Sequence, residues 1–169
     1  MKSATITLYK NLLLADIDAA TFKRVDGVLA AEADQVKNAV SSDSEEALDM
    51  NLLHRYMETR DAVLRNRLSF CLVSDDEDLS VTNELEKDVE SFDYSLNVPD
   101  TMTKPRLASL AKKMHNYIVQ GVIVDWYAVQ NMKGNVGPAE LEDMETEITC
   151  MLRSSVVKRP LQPFGPRGL

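Results

Sequence analysis

The chain of 169 residues contains only six glycines and six prolines, too few for a protein of many short strands joined by tight turns. Its two cysteines, Cys71 and Cys150, form no CxxC motif or other metal-binding spacing, and both sit in apolar helical patterns, so buried free thiols are expected. No apolar stretch approaches the roughly 20 residues that a membrane-spanning helix needs. The N-terminal segment is interrupted by polar residues and does not read as a signal peptide. We therefore expect a helical protein that folds in a reducing cytosol and has no membrane partner.

The chain also has few of the residues and motifs that enzymes use. Only two histidines are present, His54 and His115, and both are expected at the surface or boundary of a helix. The segment KGNVG at 133–137 lacks the spacing of a phosphate-binding loop. The acidic run at 74–80 lacks the spaced ligands and central glycine of a calcium-binding loop, which favours a solvated connector. We predict no catalytic, cofactor-binding or metal site, with an enzyme built on a helical bundle as a less favoured alternative.

The charges are unevenly distributed along the chain. Residues 1–147 contain 15 basic and 27 acidic side chains, a net charge of −12. Residues 148–169 contain four basic side chains and no acidic one, a net charge of +4. An acidic body repels nucleic acid on average, so specific DNA binding by the body is disfavoured.

Apolar residues recur at helical spacing in four long segments, which predicts a mainly α fold, a bundle of about four main helices. The predicted helices span about 19–40, 43–73, 103–129 and 138–156, and a shorter one about 82–90. Ser42 and Glu45 form a capping box ahead of the second helix, and Pro138 suits the first position of the last.

A small β element is also predicted. Phe92, Tyr94, Leu96 and Val98 alternate with polar residues up to Pro99, which is the pattern of a half-buried strand. Residues 4–9 are the best available partner. The surrounding segment 4–14 fits either a short strand or the start of a helix.

The segment Tyr117–Val129 is apolar nearly all round, which predicts a place at the centre of the fold or in an interface. Asp125 lies between Val124 and Trp126 in this segment. It is either a residue at a helix–solvent boundary or a buried carboxylate that needs a partner, such as an arginine of the 43–73 helix.

Residues 157–169 (VKRPLQPFGPRGL) hold three of the six prolines and no acid, so they cannot continue a helix. We predict a body at 1–156 and an extended basic arm at 157–169, which is either a frayed end or a segment that docks on a neighbour. The predicted assembly contacts are Arg153, Lys158, Arg159, Pro160, Leu161, Pro163, Phe164 and Arg167, together with Tyr117, Asp125 and Trp126.

Five segments resemble small helical head–tail connector (neck) proteins of phages and prophages of Bacteroides-type bacteria. They are TITLYKNLLLADID at 5–18, SDSEEALD at 42–49, FDYSLNVPD at 92–100, HNYIVQGVIVDWY at 115–127 and VKRPLQPFGP at 157–166. These are apolar-pattern segments that cover much of the chain and contain no catalytic signature.

The resemblance implies a structural virion protein, assembled in the host bacterial cytoplasm, without enzymatic activity or cofactors. Such proteins form closed homo-oligomeric rings, typically dodecamers, between the portal and the tail or neck proteins, and grip their neighbours with extended termini. DNA passes through the ring without specific binding. The alternative from another class is a small intracellular helical adaptor or regulatory binding module.

Overall fold

The protein has a mainly α-helical fold with one small antiparallel sheet. The computed structural model describes residues 1–25, 47–73, 89–129 and 137–153. In this part of the chain the elements are β1 (Lys2–Tyr9), α1 (Lys10–Val25), α2 (Ala47–Leu68), β2 (Ser91–Val98), α3 (Lys104–Val129) and α4 (Pro138–Arg153). The predicted fold class, about four main helices with a two-stranded β element, is confirmed.

Strands β1 and β2 pair antiparallel, with Ile6 opposite Tyr94 and Leu8 opposite Phe92. These four side chains are buried, whereas the alternating residues of both strands face outward. The predicted pairing of residues 4–9 with the later strand is confirmed. The ambiguity over 4–14 is resolved as a strand up to Tyr9 followed directly by a helix from Lys10, which starts well before the predicted position 19.

The chain after α2 forms an isolated β-bridge on the far edge of β2. Leu72 bridges Leu96 in antiparallel fashion. The amide of Val73 donates to the carbonyl of Ser95 at 2.9 Å, and the amide of Asn97 donates to the carbonyl of Cys71 at 2.7 Å. The prediction that the second helix continues to 73 was therefore wrong. It ends at Leu68, because β2 binds the backbone that a further helical turn would have used.

Helix α3 is the centre of the molecule and packs against α1, α2, α4 and β1. Its apolar character on nearly all sides is explained by this position, since neighbours cover it from several directions. Its buried residues are Leu110, Met114, Tyr117, Ile118, Val119, Gly121, Val122, Ile123, Trp126 and Tyr127. No helix in the described part of the chain is long and apolar enough to span a membrane.

Several sequence predictions fall outside the described residues. These are the capping box of Ser42 and Glu45, the acidic connector 74–80, the turn before Gly137 and the arm 157–169. Of the short helix predicted over 82–90, only the last two residues are described, and they are not helical.

Two adjacent leucines of α1 offer a matched test of the core. Leu13 is fully buried, whereas Leu12 is 55% exposed. We expect Leu13→Ala to lower the free energy of unfolding by about 2–5 kcal/mol, because it leaves a cavity among packed side chains. Leu12→Ala should change it by less than about 0.5 kcal/mol. Urea unfolding of both variants measures the difference, and equal losses would contradict the placement of this helix.

Candidate partner-binding groove

Helix α2 is joined to α3 by an ion pair between Arg60 and Asp125. The Nε atom of Arg60 lies 2.8 Å from Oδ2 of Asp125, and a second guanidinium nitrogen donates to Oδ1. The side chains are 17% and 24% exposed, respectively. The contact is thus a partly buried, two-pronged pair, the arrangement in which arginine binds a carboxylate most specifically. Of the two alternatives left open for Asp125, the structure shows the one with an arginine partner from the second helix.

Gly121 makes room for this pair one turn before Asp125 on α3. A β-carbon at Gly121 would lie 2.7 Å from Cδ of Arg60 and 2.8 Å from its Nε. Both distances are shorter than a van der Waals contact, so any side chain at position 121 would collide with the crossing arginine. The glycine weakens helix propensity by about 1 kcal/mol, and the Arg60 crossing accounts for its presence.

A second polar contact joins α2, α3 and α4 through Glu145. The hydroxyl of Tyr117 donates to Oε1 of Glu145 at 2.8 Å, and Nε of Arg67 donates to Oε2 at 2.7 Å. Glu145 is buried, and a buried carboxylate is tolerated when both of its oxygens have partners. Burial, together with the hydrogen bond to Glu145, raises the pKa of Tyr117 to about 12. The phenol therefore remains a donor at neutral pH.

A third polar contact joins α2 to the sheet. The hydroxyl of Tyr94 donates to Oδ1 of Asp61, while Nε of Arg65 lies 2.7 Å from Oδ2 of the same carboxylate. Arg65 also stacks over the Tyr94 ring, with its guanidinium carbon 4.7 Å from the ring centroid. Burial, followed by the charge of Asp61, raises the pKa of Tyr94 above its ordinary value. Together the three contacts hold α2 against α3, α4 and the sheet.

An open polar groove of about 570 Å³ lies over Glu145, between the C-terminal end of α2 and one face of α4. The lining residues on α4 recur at intervals of three and four, which places them along one helical face. The groove is lined by Asn66, Arg67, Ser69, Phe70, Glu142, Glu145, Thr146, Thr149 and Arg153.

The groove combines an exposed aromatic ring with cations and hydroxyl groups. Phe70 is 47% exposed, and the guanidinium carbon of Arg153 lies 4.7 Å from its ring centroid. The hydroxyls of Thr146 and Thr149 each donate to a backbone carbonyl of α4 at 2.9 Å, which leaves their oxygens able to accept further hydrogen bonds. Such a set can bind an extended segment of another chain by stacking and by hydrogen bonds.

The predicted contact residues divide into three groups in the structure. Arg153 lines the groove. Tyr117 and Trp126 are buried in the core of one chain, and Asp125 is bound by Arg60. These three serve the interior of the chain and offer a second copy little or no surface in this conformation. The remaining predicted contacts are Lys158, Arg159, Pro160, Leu161, Pro163, Phe164 and Arg167, and they lie outside the described residues.

Sequence reasoning missed the groove itself. Phe70 was included in the predicted helix 43–73, whereas it lies in the turn after α2, where its ring reaches the surface. The available signal was the polar context Asn66, Arg67 and Ser69 around this aromatic residue, which does not fit a buried helical stripe.

The two cysteines differ in their surroundings. Cys71 is buried, its Sγ atom lies 3.3 Å from the carbonyl of Leu68, and burial raises the pKa of its thiol to about 11. The expectation of a buried thiol is confirmed for Cys71 and wrong for Cys150. Cys150 is exposed because it lies on the side of α4 that carries Glu142 and Glu147 rather than on the buried side with Ile148 and Leu152.

The chain matches no family model, no curated protein and no solved structure. Among the described residues, no group of three His, Cys, Asp or Glu side chains could hold a metal ion. The histidine with a resolved ion-pair partner, His115, lies 2.7 Å from Asp16 and joins α3 to α1. The groove and the arm that follows it in sequence are the features of this chain suited to bind a partner.

The close approach of Arg60 to Gly121 predicts that Gly121→Ala destabilises the native chain but stabilises a chain that lacks the Arg60 side chain. In the native chain, Gly121→Ala should lower the free energy of unfolding by about 1–3 kcal/mol, because the new methyl group collides with Arg60. In an Arg60→Ala background the same change should raise it by up to about 1 kcal/mol, because alanine favours the helix. Chemical denaturation of the four proteins completes the cycle. The same effect in both backgrounds would show that Arg60 does not require the glycine.

The thiols should react with an aromatic disulfide reagent at very different rates. At pH 8, a pKa of about 11 leaves only about one Cys71 side chain in a thousand as thiolate, and its burial blocks access. We expect one thiol per folded chain to react fast. Cys150→Ser should abolish this fast reaction, and Cys71→Ser should leave it unchanged. The second thiol should react only when the protein is unfolded. Two equally fast equivalents in the folded protein would contradict the burial of Cys71.

Proposed function

We propose that the chain is a structural subunit of a phage head–tail connector, or neck, ring, in which the arm 157–169 of one copy docks on the body of the next. One observation carries this proposal. The groove around Phe70 includes Arg153, the last described residue of α4, and only three residues separate Arg153 from the start of the predicted arm. An arm and a receptor groove thus belong to neighbouring parts of the same chain.

The charges of the two parts are complementary. Helix α4 exposes the carboxylates of Glu140, Glu142, Asp143 and Glu147, whereas the arm contains Lys158, Arg159 and Arg167 and no acid. Complementary potentials of this kind guide association and set its register. The exposed ring of Phe70 provides a stacking surface for Phe164 or for the prolines of the arm.

This mode of contact favours a ring. An arm that binds the groove of the next copy uses two different surfaces of the subunit, which is a head-to-tail contact. Such contacts close into rings when the rotation between copies divides a full turn. The polar contacts made by Arg60, Asp61 and Arg67 of α2 hold the body in one shape, which a closed ring of identical copies needs. In this proposal the partners are further copies, the portal and the tail or neck proteins, in the virion.

Removal of the arm tests the assembly. We expect the full-length protein to have a multiple of the 18.9 kDa mass of one chain by light scattering, and a version that ends at Val157 to have a lower mass. Phe164→Ala and the double change Lys158→Glu/Arg159→Glu should act in the same direction. Helical circular dichroism should remain, because the described helices end at Arg153. A loss of helicity would instead show that the arm belongs to the fold.

A substitution in the groove tests the receptor half of the contact. Phe70→Ala should lower the assembled mass as the truncation does, because it removes the aromatic surface of the groove. Val129→Ala is the control, since Val129 is also an exposed apolar side chain but lies at the end of α3 and outside the groove. A full-length protein that is monomeric at every concentration would contradict the ring and favour the adaptor alternative.

A further inference from the structure

Among the described residues, one edge of strand β1 pairs with no other strand. The amide of Lys10 donates to the carbonyl of Glu90 at 2.9 Å, and these two residues continue the register in which Ile6 faces Tyr94 and Leu8 faces Phe92. Residues that exchange hydrogen bonds alternate with residues that do not along an antiparallel pair. The even-numbered residues of β1 are therefore the ones hydrogen-bonded to β2.

The odd-numbered residues of β1 point their backbone groups the other way. Ser3, Thr5 and Thr7 each present one N–H and one C=O along the outer edge of the sheet. Tyr9 presents its N–H there, while its C=O accepts the first hydrogen bond of α1. The odd-numbered residues of β2 likewise point their backbone groups away from β1. Ser95 and Asn97 bond to the backbone of residues 71–73 on the opposite edge of β2. In the described part of the chain, the far edge of β2 is thus partly paired, at Ser95 and Asn97, and the outer edge of β1 has no paired strand.

This edge lacks the features that keep sheet edges apart. From Ser3 to Tyr9 the strand has no charged residue, no proline and no glycine, and its register with β2 is unbroken by a bulge. Soluble proteins usually protect such an edge with a lysine, a proline or a bulge. A straight, uncharged strand rich in threonine is suited to accept another strand.

We propose that β1 pairs antiparallel with β1 of a second copy, so that two sheets join into one of four strands. The strand is complementary to itself: a two-fold axis beside Ile6 places Thr5 opposite Thr7 and Ser3 opposite Tyr9 of the other copy. The open backbone groups of Thr5 and Thr7 in both copies then find partners. The chain carries a net charge of −8, yet two copies can approach here, because no acidic residue lies in β1.

Two large apolar side chains at the end of β1 and the start of α1 are exposed: Tyr9 is 52% exposed and Leu12 is 55% exposed. The arm is a poor occupant for the same edge, since Pro160, Pro163 and Pro166 each lack the amide that an added strand must donate. The pairing uses a surface distinct from the groove and does not depend on the connector proposal.

Two pairs of lysine substitutions test the pairing. In the double variant Thr5→Lys/Thr7→Lys, the new charges would face each other across the two-fold axis, and like charges directly opposite oppose pairing. The control is Ser95→Lys/Asn97→Lys, which puts the same two charges on the same face one strand away. By light scattering, the β1 variant should show half the mass of the native protein and the control should show no change. Thermal unfolding checks that both variants remain folded.

Amide hydrogen exchange tests the pairing independently, because the even-numbered amides of β1 bind β2 and the odd-numbered amides face the proposed second copy. The amides of Ala4, Ile6 and Leu8 should be protected in every variant, because β2 binds them. Those of Thr5, Thr7 and Tyr9 should be protected in the native protein and exchange at least tenfold faster in the Thr5→Lys/Thr7→Lys variant.

The proposal is overturned by any of three results: a native protein that stays monomeric as its concentration is raised, an assembly with an odd number of chains, or odd-numbered amides that exchange freely. Pairs that persist after removal of residues 158–169, with larger assemblies lost, would support β1 pairing and show separately that the arm makes the other contact.

Discussion

The side chains that cross from α2 to its neighbours are the constraint on which the rest of the structure depends. Arg60 binds Asp125 of α3, Asp61 accepts a hydrogen bond from Tyr94 of β2, and Arg67 binds Glu145 of α4. The carboxylates of these contacts are buried or partly buried, so removing a partner leaves a poorly solvated charge. The cost is smaller than in a fully buried pair where the arginine reaches solvent, as Arg67 does. Apolar packing alone would let helices slide by a turn at lower cost. These directional pairs set one register.

The groove is a consequence of that register. Its floor is Glu145, whose two oxygens are occupied by Tyr117 from α3 and Arg67 from α2. With the carboxylate satisfied from within the chain, the surface above it is left to Phe70, Arg153 and the two threonines. Glu145 and its two partners therefore hold α4 in place and also line or support the groove. Beside them, the ring of Phe70 and the cation of Arg153 remain exposed.

The groove and the β1 edge differ in symmetry. A contact between an arm and a groove joins unlike surfaces and can continue from copy to copy, whereas a strand that pairs with its own copy uses one surface twice and stops at two. Together they would join head-to-tail rings in pairs. The β1 strand contains no acidic residue, which allows two copies to approach in spite of the repulsion that a net charge of −8 imposes. The groove instead lies beside the exposed carboxylates of α4, which attract a basic arm.

Local sequence determined the features that depend on local spacing. The alternation of Phe92, Tyr94, Leu96 and Val98 determined a strand, and the stripe of α3 determined a long central helix. Pro138 marked the start of the last helix. For Asp125 the sequence left two alternatives, a helix–solvent boundary or an arginine partner, because a carboxylate needs a partner only once it is buried.

Tertiary structure decided what depends on which elements meet. It ended α2 at Leu68, because the edge of β2 binds residues 71–73. Among the arginines of α2, the helix packing placed Arg60 beside Asp125, where Gly121 leaves room for the arginine side chain. The packing also buried Tyr117 and Trp126. It left Phe70 and Cys150 exposed. These features depend on contacts between residues that are tens of positions apart in sequence. The spacing of residues within one segment cannot predict which distant segment packs against it.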